Sequence, residues 1–334
     1  MITRRSFLSC VASAAATLPT RAELLSRAIR KIGVLLSFAS DDSEVQVRVR
    51  AFEDALESRG WRLSQDLKVE YRFAAGDPKR ITSFARELIA LKVEAIVTNA
   101  IQPVLVIRAQ NRDIPIVLAM IPDPVESGFL RSLSHPDVNI TGFASFDYTI
   151  VGKWLELLKA AVPAVVRIGL LFDPDAYDPT LASWSHYVTY FERYAPSFVI
   201  QHTTMPVRSF MEMQAFVGTF ASPPPGGIIV TPDAFTVRYY REIAAVLLQH
   251  KVPACCPYNY FAAAGGLMSY GPNGRHIWTQ CAFYVDRILQ GAKATDLPIQ
   301  RPTTLELVLN LKTAKALNLE FPMTLLARAD EIIE

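Results

Sequence analysis

Short apolar runs alternate with amphipathic stretches along nearly the whole chain, and this alternation leaves few folds open. Lys31–Leu36 reads as a buried strand ending at polar Ser37. Val45, Val49, Phe52 and Leu56 then recur at helical spacing until Gly60 stops the stripe. A second strand spans Val69–Phe73, and Asp77-Pro78 supplies an N-cap followed by proline at the first helical position. Ile81, Phe84, Leu88 and Leu91 mark the helix that follows. Strands over 94–98 and 114–120 flank a helix over 101–111. Strands separated by helices predict a parallel, doubly wound sheet.

The same rhythm then starts again. Ile140–Phe143 is a short extended crossing, and Trp154, Leu155 and Leu158 mark a helix. Strands are expected at 167–172, 198–201, 228–231 and 252–256, with helices over 180–194, 208–220 and 236–250 between them. A strand over 266–270, a long helix over 275–290 and a tail strand at 305–310 complete the pattern. No repeat is visible in the residues themselves, yet the organisation is two similar α/β halves. A chain of 334 residues is long enough to give each half its own core.

The first 22 residues stand outside this rhythm. Thr3-Arg4-Arg5-Ser6-Phe7-Leu8 is a twin-arginine pattern, Val11–Leu18 a short apolar stretch, and Thr20-Arg21-Ala22 offers small residues at cleavage-site offsets. The reading is a twin-arginine-like signal peptide cleaved near Ala22, with ordinary secretion as the other route. Removing Arg4, Arg5 and Arg21, with no acid in that stretch, takes the formal charge from +2 to −1. No polybasic argument for nucleic acid or a membrane surface survives. Cys255, Cys256 and Cys281 remain, and are expected as buried packing residues rather than a disulfide.

In open parallel sheets ligands bind beyond the carboxyl ends of the strands. The residues expected there are Phe38, Ser40, Thr98, Asn99, Asp123, Asp233, Tyr258, Ser269 and Tyr270, a set rich in hydroxyls, amides and aromatics. A ligand ammonium would find its counter-ion in Asp233 or Asp123. A ligand carboxylate would meet Ser40, Thr98, Asn99 and the backbone near Tyr270-Gly271, while Phe38, Tyr258 and Tyr270 could stack an apolar portion. Catalysis finds no footing. The chain lacks phosphate-cradling glycine loops, paired-histidine or C-x-x-C metal motifs and the G-x-S-x-G elbow. No enzyme activity, metal or cofactor is expected.

Several segments carry a specific resemblance. Gly265-Gly266-Leu267-Met268-Ser269-Tyr270-Gly271-Pro272-Asn273, Tyr284–Lys293, Asp296–Ile299, Leu307–Leu317 and Leu325–Glu331 resemble the substrate-binding proteins of ABC transporters, the tryptophan- and tyrosine-type family. Asp123-Pro124-Val125, Ser127-Gly128 and Asn139–Gly142 agree with it upstream.

The resemblance implies a type I periplasmic-binding fold of Venus-flytrap architecture, with two doubly wound parallel-sheet lobes joined by three crossovers. Lobe 1 would take 30–145 plus 258–292, and lobe 2 would take 146–257 plus 293–334. The crossovers are expected near 143–147, 257–261 and 292–304. The resemblance also implies a periplasmic receptor that captures an amino acid or an aromatic or carboxylate solute between the lobes. It would deliver that ligand, as a monomer, to the membrane subunits of an ABC permease. A sensor feeding a membrane signalling protein, and less so a hydrolase, are the other readings.

Overall fold

A computed structural model describes residues 29–126, 128–134, 139–175, 183–222 and 226–334. The expected leader, the first residues of the helix predicted over 180–194, Ser127 and the prolines at 223–225 lie outside the described residues.

The first lobe is built on a five-stranded, all-parallel sheet. Its strands are β1 (Arg30–Leu36), β2 (Leu67–Phe73), β3 (Ile96–Thr98), β4 (Ile116–Ile121) and β5 (Ile140–Ala144), in the order β2-β1-β3-β4-β5. Helices α1 (Ser43–Ser58), α2 (Pro78–Ala90) and α3 (Ile101–Gln110) make the crossovers. Local chemistry starts each of the first two. Asp42 caps α1 by accepting from the Glu44 amide at 2.8 Å, and Asp77 caps α2 through the Lys79 amide at 2.8 Å. The predicted stripe Val45, Val49, Phe52 and Leu56 is the buried face of α1. Ile140–Ala144, read from sequence as a crossing, is a full fifth strand paired in parallel with β4.

The second lobe carries seven strands in the order β12-β11-β10-β9-β8-β6-β7. These are β6 (Arg167–Phe172), β7 (Gln201–Pro206), β8 (Gly226–Val230), β9 (Ala254–Cys256), β10 (Met268–Gly271), β11 (Glu306–Asn310) and β12 (Glu331–Ile333). Its helices are α4 (Ile150–Ala161), α5 (Ser183–Tyr194), α6 (Phe210–Phe220), α7 (Ala234–Arg238), α8 (Tyr240–Gln249) and α9 (Asn259–Ala263). The pairing is parallel throughout except between β10 and β11.

Helix α10 (Gly274–Leu289) leaves this sheet and packs on α1 and β4 of the first lobe. Trp278 meets Phe52 edge to face at 6.0 Å. The chain then returns for β11, α11 (Leu311–Ala316), α12 (Met323–Leu326) and β12.

The architecture is therefore two α/β lobes, the first on an all-parallel sheet and the second on a parallel sheet with one antiparallel pair at β10–β11, joined by three crossovers. One expected boundary moves. The chain does not return to the first lobe at 258, because β10 pairs with both β9 and β11 inside the second sheet. The second crossover lies at 272–273, beside Gly271, where a Cβ would stand 2.0 Å from the Pro257 carbonyl oxygen. Residues 195–198 form a 3-10 turn, so the strand expected from Phe198 starts only at Gln201. Cys255, Cys256 and Cys281 are free and buried, as their packing reading requires. No helix among the described residues is long and apolar enough to cross a membrane.

Candidate functional site

Strand ends of the first lobe place a row of polar groups along one edge. Ser37, just past β1, donates its backbone N–H to Asn99 Oδ1 at 3.0 Å, which ties the β1 and β3 edges together. Thr98 closes β3 fully buried, and its Oγ1 has no hydrogen-bond partner among the described residues. A buried hydroxyl left unpaired costs about 1–3 kcal/mol, so its retention asks for a partner from elsewhere. Helix α3 begins three residues on, with Ala100 at the N-cap position, no side-chain cap and no acid in its first turn. Its leading N–H groups and dipole are therefore open to an anion. Phe38 lies half-buried at the end of β1, whereas Ser40 is exposed and only its carbonyl is engaged, by Gln46 Nε2.

Asp123 and Asp233 are both buried, and both are already committed. Asp123 Oδ1 accepts from the Val125 and Glu126 amides at 3.1 Å each, and Oδ2 takes 2.6 Å from Arg301 Nη2. Asp233 caps α7, accepting from the Thr236 amide at 2.8 Å, the Asp173 amide at 2.9 Å and Thr231 Oγ1 at 3.0 Å. Burial pushes the Asp233 carboxyl up to about 7 despite those donors. Neither aspartate presents an unspent oxygen of the kind the counter-ion role needs.

A carboxylate that sequence reasoning missed does. Asp173 follows β6, the first strand of the second lobe, at the position Ser37 holds in the first. Its Oδ1 accepts from the Asp175 amide at 2.9 Å, while no protein donor among the described residues reaches Oδ2. Half-buried, its carboxyl is raised by desolvation above the ordinary range. In sequence, Asp173-Pro174-Asp175 reads only as a turn. Its position after the first strand of the second half is the signal that could have found it.

Further aromatic groups lie beside these strand ends. Tyr258 is buried, its hydroxyl near Ser145 and pushed up to about 12 by burial. Tyr148, also missed, stacks on His186 at 5.0 Å and meets Tyr187 edge to face at 4.8 Å. Its buried hydroxyl lacks a hydrogen-bond partner among the described residues, and burial with the charges of Asp123 and Glu126 raises its pKa. The Tyr190 hydroxyl on α5 is raised mainly by its neighbour Glu126 of the first lobe.

The remaining two candidates lie elsewhere. Ser269 sits within the second sheet opposite Cys256 and Val308. Tyr270 faces a groove of about 300 Å³ shared with Lys153, Arg301 and Leu305. The structure thus brings Phe38, Thr98, Asn99, Asp123, Asp233 and Tyr258 to strand ends, whereas Ser40 is exposed and Ser269 and Tyr270 lie on β10 within the second sheet. No group of His, Cys, Asp or Glu among the described residues could hold a metal ion.

The molecule is two-lobed and α/β, with polar groups at its strand ends. Residues 31–333 match the family described as ABC transporter substrate binding protein. The chain belongs to this family. A tyrosine-binding protein of Clostridioides difficile (strain R20291) is 22% identical over 271 residues, covering 81% of this chain and 76% of the relative.

Two solved structures align at a TM-score of 0.81. One is an ABC domain in complex with L-Trp from Streptococcus pneumonia, 23% identical, covering 92% of this chain and all of that one. The other is a conserved domain protein from Vibrio cholerae, 22% identical, covering 91% of this chain and all of that one. The fold is that of type I periplasmic-binding proteins, and the family's members are solute-binding proteins rather than enzymes.

Proposed function

We propose that this chain captures a free amino acid with an aromatic or large apolar side chain between its lobes and passes it to an ABC permease outside the inner membrane. The observation that carries this reading is the pairing of complementary ends. Thr98, Asn99 and the uncapped start of α3 suit a carboxylate, and Asp173 on the opposite lobe suits an ammonium. Phe38 and Tyr258 would flank the side chain. The tyrosine-binding relative and the L-Trp complex support the ligand class, and the twin-arginine-like leader supports the compartment.

Calorimetry with L-tyrosine, L-tryptophan and L-leucine, set against the matching amines and deaminated acids, tests it. Binding should require both charged groups, and Asp173→Asn should weaken it about ten- to a hundredfold with little change in melting temperature. Equal binding of an amino acid and its deaminated acid would overturn the ammonium assignment. Failure of all three amino acids to bind would overturn the ligand class.

A further inference from the structure

Arg48 is the one buried residue of α1 that the amphipathic pattern does not explain. It is 5% exposed and makes no ion pair among the described residues. Glu44, one turn back on the helix, gives it a favourable charge, and three rings supply close contact. The Arg48 Cζ lies 5.7 Å from the Phe38 centroid, 5.8 Å from Tyr258 and 5.5 Å from Tyr260. Phe38 belongs to the first lobe, at the end of β1. Tyr258 and Tyr260 follow β9 and belong to the second, and their rings lie 5.4 Å apart.

Arg48 lines a cavity of about 310 Å³ together with Tyr258 and Tyr260, beside the point where the chain re-enters the first lobe. A Cβ at Gly274, where the chain re-enters the first lobe, would stand 3.0 Å from Arg48 Nε and 3.2 Å from Met120 Sδ. One turn back along α1, Ser43 Oγ accepts from Arg241 Nη2 of α8 at 2.6 Å, a second bond across the lobes on the same helix.

We infer that Arg48 is a positioning residue for ligand capture, a cation on one lobe around which the aromatic walls of both lobes assemble on closure. The physical basis is a difference between two states. With the lobes together, the guanidinium is desolvated against ring faces, where such contacts are strongest. With the lobes apart, Tyr258 and Tyr260 withdraw and water replaces them. Arg48 therefore favours the closed arrangement and holds Phe38 and Tyr258 in register for whatever lies between them. Apparent affinity scales with the population of the competent state, so loss of this preference weakens binding without any contact from Arg48 to the ligand.

The inference rests on the proposed cleft only for its binding arm; its structural arm needs no ligand. Small-angle X-ray scattering of the ligand-free protein should give a larger radius of gyration for Arg48→Met than for wild type, with Arg48→Lys between them. In parallel, titration with L-tyrosine and L-tryptophan should show Arg48→Met binding about tenfold more weakly, partly rescued by Arg48→Lys. Should Arg48→Met fail to fold by circular dichroism, Arg48→Lys carries both measurements. Ligand-free scattering of a folded variant that superimposes on wild type would overturn the inference. A shifted radius in a protein that binds neither amino acid would support it while overturning the proposed ligand.

Discussion

Among single residues, the contrast between Thr98 and Asp233 separates groups that serve the fold from groups held in reserve. Thr98 Oγ1 is buried and unpartnered, so replacing it by the isosteric valine removes a desolvated hydroxyl and leaves the packing intact. Thr98→Val should hold or raise the melting temperature while weakening amino-acid binding several-fold, as differential scanning calorimetry and titration would show.

Asp233 points the other way. Its carboxyl sits at about 7 in the folded chain, raised by burial, against about 3.9 in an unfolded one. The folded state holds the extra proton between those values, so this residue's contribution is fully present below pH 4 and is lost as pH rises towards 7. Asp173, shifted in the same direction, adds to the slope. Urea unfolding at a series of pH values should show the decline, and Asp233→Asn should flatten part of it. A slope unchanged in the variant would mean that Asp233 does not titrate in this range.

For the elements, most of the secondary structure was legible in the sequence, because strand and helix periodicity are local properties. The capping aspartate at 77 and the stripe through Phe52 appear where the residues placed them. What escaped was non-local. Ile140–Ala144 became a strand because β4 offers it an edge, and β10 stays in the second sheet because β9 and β11 bracket it. Pairing partners are not written in a strand's own residues.

Close approach between β4 and β5 makes one glycine critical. Gly142 has φ +127°, and a Cβ there would stand 2.3 Å from the Leu118 carbonyl oxygen. Gly142→Ala should therefore cost well over 1 kcal/mol in equilibrium unfolding. Gly218, inside α6 with open space around it, is the control, and Gly218→Ala should stabilise by about 0.5–1 kcal/mol. Equal effects at the two positions would contradict the strand contact.

At the scale of the whole molecule, the candidate site was legible in outline only. Strand-end positions could be read from the chain, so Phe38, Thr98 and Asn99 could be placed there. Which aspartates were already spent on caps and ion pairs depended on partners far away in sequence, such as Arg301 for Asp123. That pair also bears on how the lobes are joined. Arg301 lies on the third crossover, bonds Asp123 at 2.6 Å and stands 3.8 Å from Asp147 on the first. It thus ties two crossovers to the end of β4.

Arg301 is 44% exposed while the Asp123 side chain is 5% exposed, so the cost of breaking the pair falls mainly on the buried partner. Arg301→Met should destabilise by about 1–2 kcal/mol, less than a fully buried pair because solvent reaches the guanidinium. Asp123→Asn in the same background should return part of that loss, since an amide left without its cation is cheaper to bury than a carboxylate. A double-mutant cycle by urea unfolding measures this coupling. If the two losses simply add, the crossover is not held by this pair, and the joint must draw its rigidity from the backbone bonds between Ala144 and Gln300 and between Gln300 and Gly142.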